Sequence, residues 1–581
     1  MDEYTYFKEP TLPMHRQYMA LRRFIFEGRQ AEEVAREFGY TVSTIYTLRR
    51  DFAAKLGKGE EPFFIERSAG RKKIPRTGGL ADKVTEMRKR FMSVPEIKAA
   101  LDADGENISE RAITDMLESL GFARLPRRDA ETRRYVAGAA PVETMEAEQA
   151  GQPMVGQSFQ TENAGLLCFL PIIKAHGIDK AIMESDYPQT KQMPKLQSIL
   201  SFLALKLSDI ARYSADDVWC MDRGMGMFAG MTALPKAAWF SSYSSAITSG
   251  SNERFLRALS VIWRDAGMLS DTANLDFTAI PYWGDDDTLE NNWNGKLHRA
   301  LPSIQALLGQ DPETGILCYA DATVRHRRQS DAVLEFLDFR HPDPKKDKDL
   351  KYLVFDSKFT TYENLSIIDK QGVKFITIQR RCKSLESKIA SLPDSSWKTA
   401  RIDKANGRGR TIHYAESETS LVGYDGPVRQ VFIKSSRRSA VATVITNDFD
   451  IPGHQIVRKY ARRWLVDQDI SEQVNFFHMN RNSSSIVVKV DFDLTMTLLA
   501  HNLYRLLAAG IDGYRHCAAS TLYTKFIRNA GFVEFDKSRA VVKLKRKRAL
   551  PLLIEALDDY GDLSYPWLDG GTVSFEASTT T

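Results

Sequence analysis

Between Asn274 and Ile378 the chain runs through an ordered series of alternating and helical segments, and that order limits the folds open to it. Asn274–Ile280 alternates apolar and polar residues and reads as a strand. Ser303–Leu308 is a second strand, and Ile316–Val324 a third. The turn chemistry of Asp311-Pro312-Glu313-Thr314-Gly315 makes those two antiparallel. A helix is expected over Asp331–Phe339, a fourth strand over Tyr352–Asp356, a helix over Tyr362–Lys370 closed by Gln371-Gly372, and a fifth strand over Val373–Ile378. Three strands, helix, strand, helix, strand fits a mixed sheet with helices packed on it. Asp276 lies mid-strand on the first strand, and Asp356 ends the fourth.

This order is that of the ribonuclease-H-like arrangement, where the first and fourth strands are neighbours and the two carboxylates would face each other. From Cys382 to Ile451, strands at Thr411–Tyr414, Val428–Ile433 and Ala440–Ile445 are separated by Gly, Asp and Ser, and read as a β-rich insertion. A long helix is expected from His454 to Phe477. On it Tyr460, Arg463 and Asp467 are spaced i, i+3, i+7 and share one face.

Tyr460-Ala461-Arg462-Arg463-Trp464-Leu465-Val466-Asp467 resembles the Tyr-x-x-Arg-Trp-x-x-Glu signature of the DDE transposases of bacterial insertion sequences. Asp276-Phe277-Thr278 matches their Asp-x-Thr first strand, and Val354-Phe355-Asp356-Ser357 their second Asp. The resemblance spans Asn274 to Arg505 and departs from the family twice. Asp467 stands where the family has Glu, and Val474 where it has Lys. Glu472, on the same helix, has the longer reach but lies ~120° from the Tyr460 face at the helical period. Asp467 is preferred as third acid, with Glu472 as its rival.

The resemblance implies an enzyme that cuts and joins DNA with two Mg²⁺ or Mn²⁺ ions. Such ions, about 3.5–4 Å apart, activate the attacking oxygen and stabilise the leaving one. Hard carboxylate oxygens suit them. Asp276 would bridge both, Asp356 would hold one, and Asp467 or Glu472 the other. Tyr460 and Arg463 would contact a phosphate near the scissile bond. Two readings of another kind stay open: a DNA-binding regulator with an inert sheet domain, and a degenerate transposase.

The remaining chain supplies the setting. Its 581 residues exceed one core, so about three to five units are expected. The net charge of +5 favours an anionic partner only weakly. Thr41 to Arg90 is more telling, with 13 Lys/Arg against 6 Asp/Glu. Within residues 1–60, helices are expected over Met14–Phe26, Ala31–Phe38 and Val42–Leu56. Capping hydroxyls lead into a stripe of Val42, Ile45 and Leu48, the helix-turn-helix pattern. Thr44, Tyr46, Arg49 and Arg50 would face DNA. Residues 61–129 read as a second helical DNA-binding domain, winged or helix-turn-helix, 130–164 as a linker and 165–270 as helical scaffold. A catalytic domain would span 271–381 and 454–520 around an insertion at 382–453, and 521–581 would form a basic C-terminal region.

The fold class is thus multidomain α/β: a ribonuclease-H-like mixed sheet with flanking helices, interrupted by a β-rich insertion and preceded by helix-turn-helix modules. Lys543–Arg548 fits either a DNA contact or an exposed rim. Trp283 and Trp397 are candidates for stacking on a flipped base, whereas Asp285-Asp286-Asp287 reads as a solvated loop. Five cysteines without metal or redox spacing, no apolar leader and no run near the ~20 residues of a membrane span make a cytoplasmic protein the expectation. The partner expected is double-stranded DNA, held by a homodimer or larger assembly, because two ends must be brought together.

Overall fold

The structure is a computed structural model and describes residues 13–57, 63, 79–89, 94–103, 106, 108–120, 158–190, 193–211, 216–282, 289–294, 299–326, 329–340, 350–356, 361–402, 410–435, 438–481, 486–536 and 538–579. The linker expected at 130–164 falls largely outside them, as do Trp283 and Asp285–Asp287. The chain divides into two compact units, Met1–Ile74 and Pro75–Thr581.

In the first unit, helices α1 (Pro13–Leu21), α2 (Ala31–Phe38) and α3 (Val42–Gly57) enclose Met19, Ala20, Val34, Ala35, Phe38 and Ile45. The first helix expected over Met14–Phe26 loosens into a π turn over Arg22–Phe26. Gly39 closes α2 with φ at 71°, a left-handed conformation that glycine adopts without steric cost. Thr41 caps α3, its Oγ1 accepting from the Thr44 amide at 3.2 Å.

The second unit begins with α4 (Gly79–Lys89), α5 (Val94–Ala103) and α6 (Glu110–Ser119). These belong to the larger of the two units. Strand β1 (Phe159–Thr161) lies inside the stretch read as linker, and it pairs antiparallel with β12, described below. The scaffold region then follows as helices, the longest being α7 (Lys195–Leu207) and α8 (Ser249–Asp265).

The central sheet has ten strands. Those of the region read as catalytic are β2 (Thr272–Pro281), β3 (Asn291–Asn294), β4 (Arg299–Gln310), β5 (Leu317–Val324), β6 (Tyr352–Phe355) and β7 (Lys374–Ile378). Helices α9 (Ala332–Arg340) and α10 (Tyr362–Lys370) intervene where periodicity places them. β4 pairs with β2 along one side and with β3 and β5 along the other, all antiparallel. β2, β6 and β7 run parallel.

The β-rich segment joins the central sheet. Its strands β8 (Lys398–Ile402), β9 (Arg410–Ser420), β10 (Pro427–Ser435) and β11 (Arg438–Thr446) extend the same sheet, because β11 pairs antiparallel with β7. Helix α11 (Gly453–Arg462) explains why. Its Ile456, Val457 and Tyr460 pack on Val354 and Ile376 of one half, and on Ile412, Tyr414, Val431 and Val444 of the other. One helix face thus covers both halves with one apolar layer.

The long helix expected over His454–Phe477 is two helices, α11 and α12 (Trp464–Asn475), meeting at Arg463. The amide of Arg463 donates to the Tyr460 carbonyl, and that of Val466 to the Arg463 carbonyl, at 3.1 and 3.0 Å. These i to i−3 bonds tighten the junction as in a 3₁₀ turn. Helix α13 (Val487–Gly510) is buried on nearly every side. Asn502 on it exchanges bonds with the amide and carbonyl of Leu317, at 2.9 and 2.8 Å, which satisfies part of the outer edge of β5. Among the described residues no helix is long and apolar enough to cross a membrane.

The C-terminal region forms a second sheet. β12 (Gly531–Asp536), β13 (Arg539–Leu544), β14 (Ser564–Tyr565) and β15 (Gly571–Ala577) join β1 in the order β1-β12-β13-β15-β14.

Candidate active site

Parallel pairing of β2 with β6 matches Thr272 to Tyr352, Ala273 to Leu353 and Asn274 to Val354, a constant offset of 80. Asp276 lies two residues past the last paired position of β2, and Asp356 follows the end of β6 directly. Side chains alternate along a strand, so Asp276 shares a face of β2 with Asn274. That face is the one α11 covers: Asn274 Nδ2 donates to the Arg462 carbonyl at 3.0 Å, and Val354 lies in the core under α11.

Arg463, at the α11–α12 junction, turns its guanidinium onto Asp276. Nη1 donates to Asp276 Oδ2 at 2.6 Å, with side-chain exposures of only 11% and 15%. Asp276 Oδ1 accepts from the Phe277 amide at 2.8 Å. Tyr460, one turn earlier, has its ring centroid 5.8 Å from the Arg463 guanidinium carbon. Burial raises the Tyr460 phenol above its ordinary pKa; Arg463 opposes this, and the carboxylates of Asp356 and Asp276 add to it. Both acids therefore act on one phenol.

A neighbouring anchor holds α11 in place. Lys459 donates to Thr272 Oγ1 at 3.1 Å and lies over the Tyr352 ring at 3.9 Å, while the Tyr352 hydroxyl donates to Asp448 at 2.6 Å. Thr272 and Tyr352 open β2 and β6, so the anchor sits nearer the start of the strands than the acids do.

The two rivals for third acid are placed differently. Asp467 lies in α12, one turn beyond Arg463; its side chain is outside the described residues. Glu472 is nine-tenths buried, accepts from the Ala519 amide, and stands 3.4 Å from His501 Nδ1. Burial alone would raise its pKa, but His501, Arg505 and the Ala519 amide outweigh it and hold the carboxyl below the ordinary value.

Glu472 belongs to a second cluster with Asp469 and His501, whose ligand atoms lie within 4.8 Å of one another. Asp469 accepts from Arg505 at 3.0 Å and from Gln310, while His501 Nε2 contacts the Gly315 carbonyl at 3.0 Å. The sequence reading missed Asp469 and His501. Their signal was faint: an acid two residues past Asp467, and a histidine inside an apolar helix, which is more often a core residue.

In the first unit, the Thr44 hydroxyl is engaged with Thr41 Oγ1 at 2.7 Å. Tyr46 is 53% exposed and meets Phe24 edge-on at 5.6 Å, and Arg49 lies over the same ring at 5.6 Å. Arg50 is exposed and pairs with Asp51 at 3.2 Å. α3 therefore presents Tyr46, Arg49 and Arg50 outward.

No curated protein matches the chain. Among solved structures, a piggyBac transposase in a synaptic complex with hairpin DNA overlays 64% of this chain and 83% of its own, at 12% identity and a TM-score of 0.33. That overlap is too loose to bear on function. Residues 260–503, which hold Asp276, Asp356, Tyr460 and Arg463, match the family model of the transposase DDE domain, and to that domain this part of the chain is similar.

Proposed function

We propose that the chain is a DDE transposase that cleaves DNA and transfers strands at the ends of a mobile element. The observation that carries this is the parallel pairing of β2, which holds Asp276, with β6, which leads directly into Asp356, inside the segment that matches the DDE domain. The strand order β5-β4-β2-β6-β7, antiparallel on one side and parallel on the other, supports a ribonuclease-H-like reading of the catalytic sheet.

The residues suit a hard divalent cation. Two carboxylates supply oxygen donors, and Asp276 Oδ2 already takes a cationic partner in Arg463. Asp276 and Asp356 would hold Mg²⁺ or Mn²⁺ with Asp467, and the bound metal supplies activation of the attacking oxygen. Arg463 then has two roles for its forked donors: holding Asp276 in orientation and receiving a phosphate oxygen of the DNA. Tyr460 fixes the direction of that guanidinium. The first unit, read as a helix-turn-helix domain, would bring Tyr46, Arg49 and Arg50 to the terminal repeats, with a dimer joining two ends.

The test is nicking of supercoiled plasmid with Mg²⁺, Mn²⁺ or chelator. Nicking should require metal and disappear in Asp276→Asn and Asp356→Asn, while DNA binding persists. Wild-type nicking by both variants ends the proposal. Retained binding without any nicking in the parent would favour a DNA-binding regulator instead.

A further inference from the structure

The basic run Lys543–Arg548 is folded into two unlike parts. Lys543 lies on β13 and is neutralised by Glu534 at 2.6 Å. Past Leu544 the chain leaves the sheet, and Lys545, Arg546 and Arg548 are exposed. Lys547 turns inward, its Nζ donating to the carbonyls of Thr524 and Arg528 at 3.1 and 2.5 Å. The Lys545 amide donates to the Ala530 carbonyl at 3.0 Å, and Asn529 Nδ2 to the Lys545 carbonyl at 3.1 Å. These four bonds clamp the loop after β13 onto the turn before β12. That turn carries two exposed cations of its own, Lys525 and Arg528.

Five exposed cations thus stand on two segments that these bonds hold together. Among the described residues, none of the five forms an ion pair with a carboxylate. Lys525 is positioned by Tyr514, 3.3 Å from its hydroxyl and 4.8 Å from its ring centroid. Like charges gathered without counter-charges oppose one another, and Lys547 registers it: burial, then the Arg528 charge, lowers its pKa. A polyanion laid across the surface removes that repulsion.

We propose that Lys525, Arg528, Lys545, Arg546 and Arg548 form a second DNA-contacting face, which grips the phosphate backbone without reading base sequence. The inference rests on the reading of the chain as a protein that acts on DNA. Double-stranded DNA is the occupant because its phosphates are closely spaced along the axis, and the arginines offer forks that match phosphate oxygens.

The experiment uses the full chain and a fluorescent duplex of random sequence, titrated at several salt concentrations. In Lys545→Gln/Arg546→Gln/Arg548→Gln, affinity should fall about tenfold or more, and the salt slope by about 2–3, near one unit for each lost phosphate contact. Arg546→Gln and Arg548→Gln alone should each remove about one unit, which keeps the test decisive if the triple variant folds poorly. A control, Lys180→Gln/Lys236→Gln at exposed cations elsewhere, should change neither quantity. An unchanged slope in the triple variant, an equal loss in the control, or displacement of the duplex by polyglutamate as readily as by duplex overturns the proposal. Plasmid nicking is read in parallel: a parent that binds through this face yet never nicks would sink the transposase reading and leave the face standing.

Discussion

Arg463 Nη1 donates to Asp276 Oδ2 at 2.6 Å, and this bond joins the α11–α12 junction to the middle of β2 across 187 residues of sequence. Both groups are largely buried, so each is the other's counter-charge in a weakly screened setting. A pair built this way is held in place by the fold itself.

Arg463→Ala takes a counter-charge from a nearly buried carboxylate. Removing one partner of a buried pair costs about 3–5 kcal/mol, and the residual exposure here favours about 3 kcal/mol. Urea unfolding should show that loss. Mg²⁺ should recover more stability in the variant than in the parent, because the cation replaces the guanidinium at Asp276. Equal Mg²⁺ effects in the two proteins would show that Asp276 is not a metal ligand.

Asp467→Asn and Glu472→Gln should separate chemistry from stability. Glu472 is tied to His501 and the Ala519 amide, so its neutralisation should lower the unfolding midpoint. Breaking a charge-assisted buried bond costs about 1.5–3 kcal/mol. Asp467→Asn should instead remove strand transfer with the midpoint little changed. The opposite pattern in a strand-transfer assay with matched melting curves would make Glu472 the third acid.

Asp491, on α13, is fully buried beside Asp321, and burial pushes its carboxyl up to about 7. The Ala322 amide and Asn252 Nδ2 donate to it at 3.0 and 2.8 Å. Its folded pKa exceeds the unfolded one, so the folded state holds the extra proton between the two values. The contribution to stability is complete below about 4 and is lost as pH rises toward about 7. Asp491→Asn should flatten the urea midpoint between pH 5 and 8, in a comparison at about those two values. A parent curve already flat there would contradict the raised pKa.

Gly165 lies where the turn before the scaffold helices meets the C-terminal region. Its amide donates to the Asn529 carbonyl at 3.0 Å, and an added Cβ would lie 2.8 Å from the Ile527 carbonyl carbon and 2.9 Å from its Cα. Backbone cannot yield as a side-chain tip does, so Gly165→Ala should cost about 3 kcal/mol, the upper end for overpacking. Gly57→Ala meets nothing within 4 Å and should leave the melting temperature within experimental error or raise it. Similar melting temperatures for the two variants would refute the close approach.

By itself, the sequence determined the elements. β2, β6, β7, α9 and α10 stand within a residue or two of their expected places, as do α2 and α3 of the first unit, because periods of 2 and 3.6 residues are local properties. Asp276 and Asp356 were legible for the same reason, each fixed to a strand whose pattern is clear. What joins to what was decided only in three dimensions. Pairing of β11 with β7 makes one sheet of what reads as domain and insertion, and β1 leaves an apparent linker to complete a second sheet. The break at Arg463 and the gathering of Asp469, Glu472 and His501 depend on partners hundreds of residues away or on other helices. Hydrogen bonds and burial between distant segments leave no periodic trace along a chain, so only the folded arrangement could show that Arg463 closes on Asp276 while Glu472 turns to another pocket.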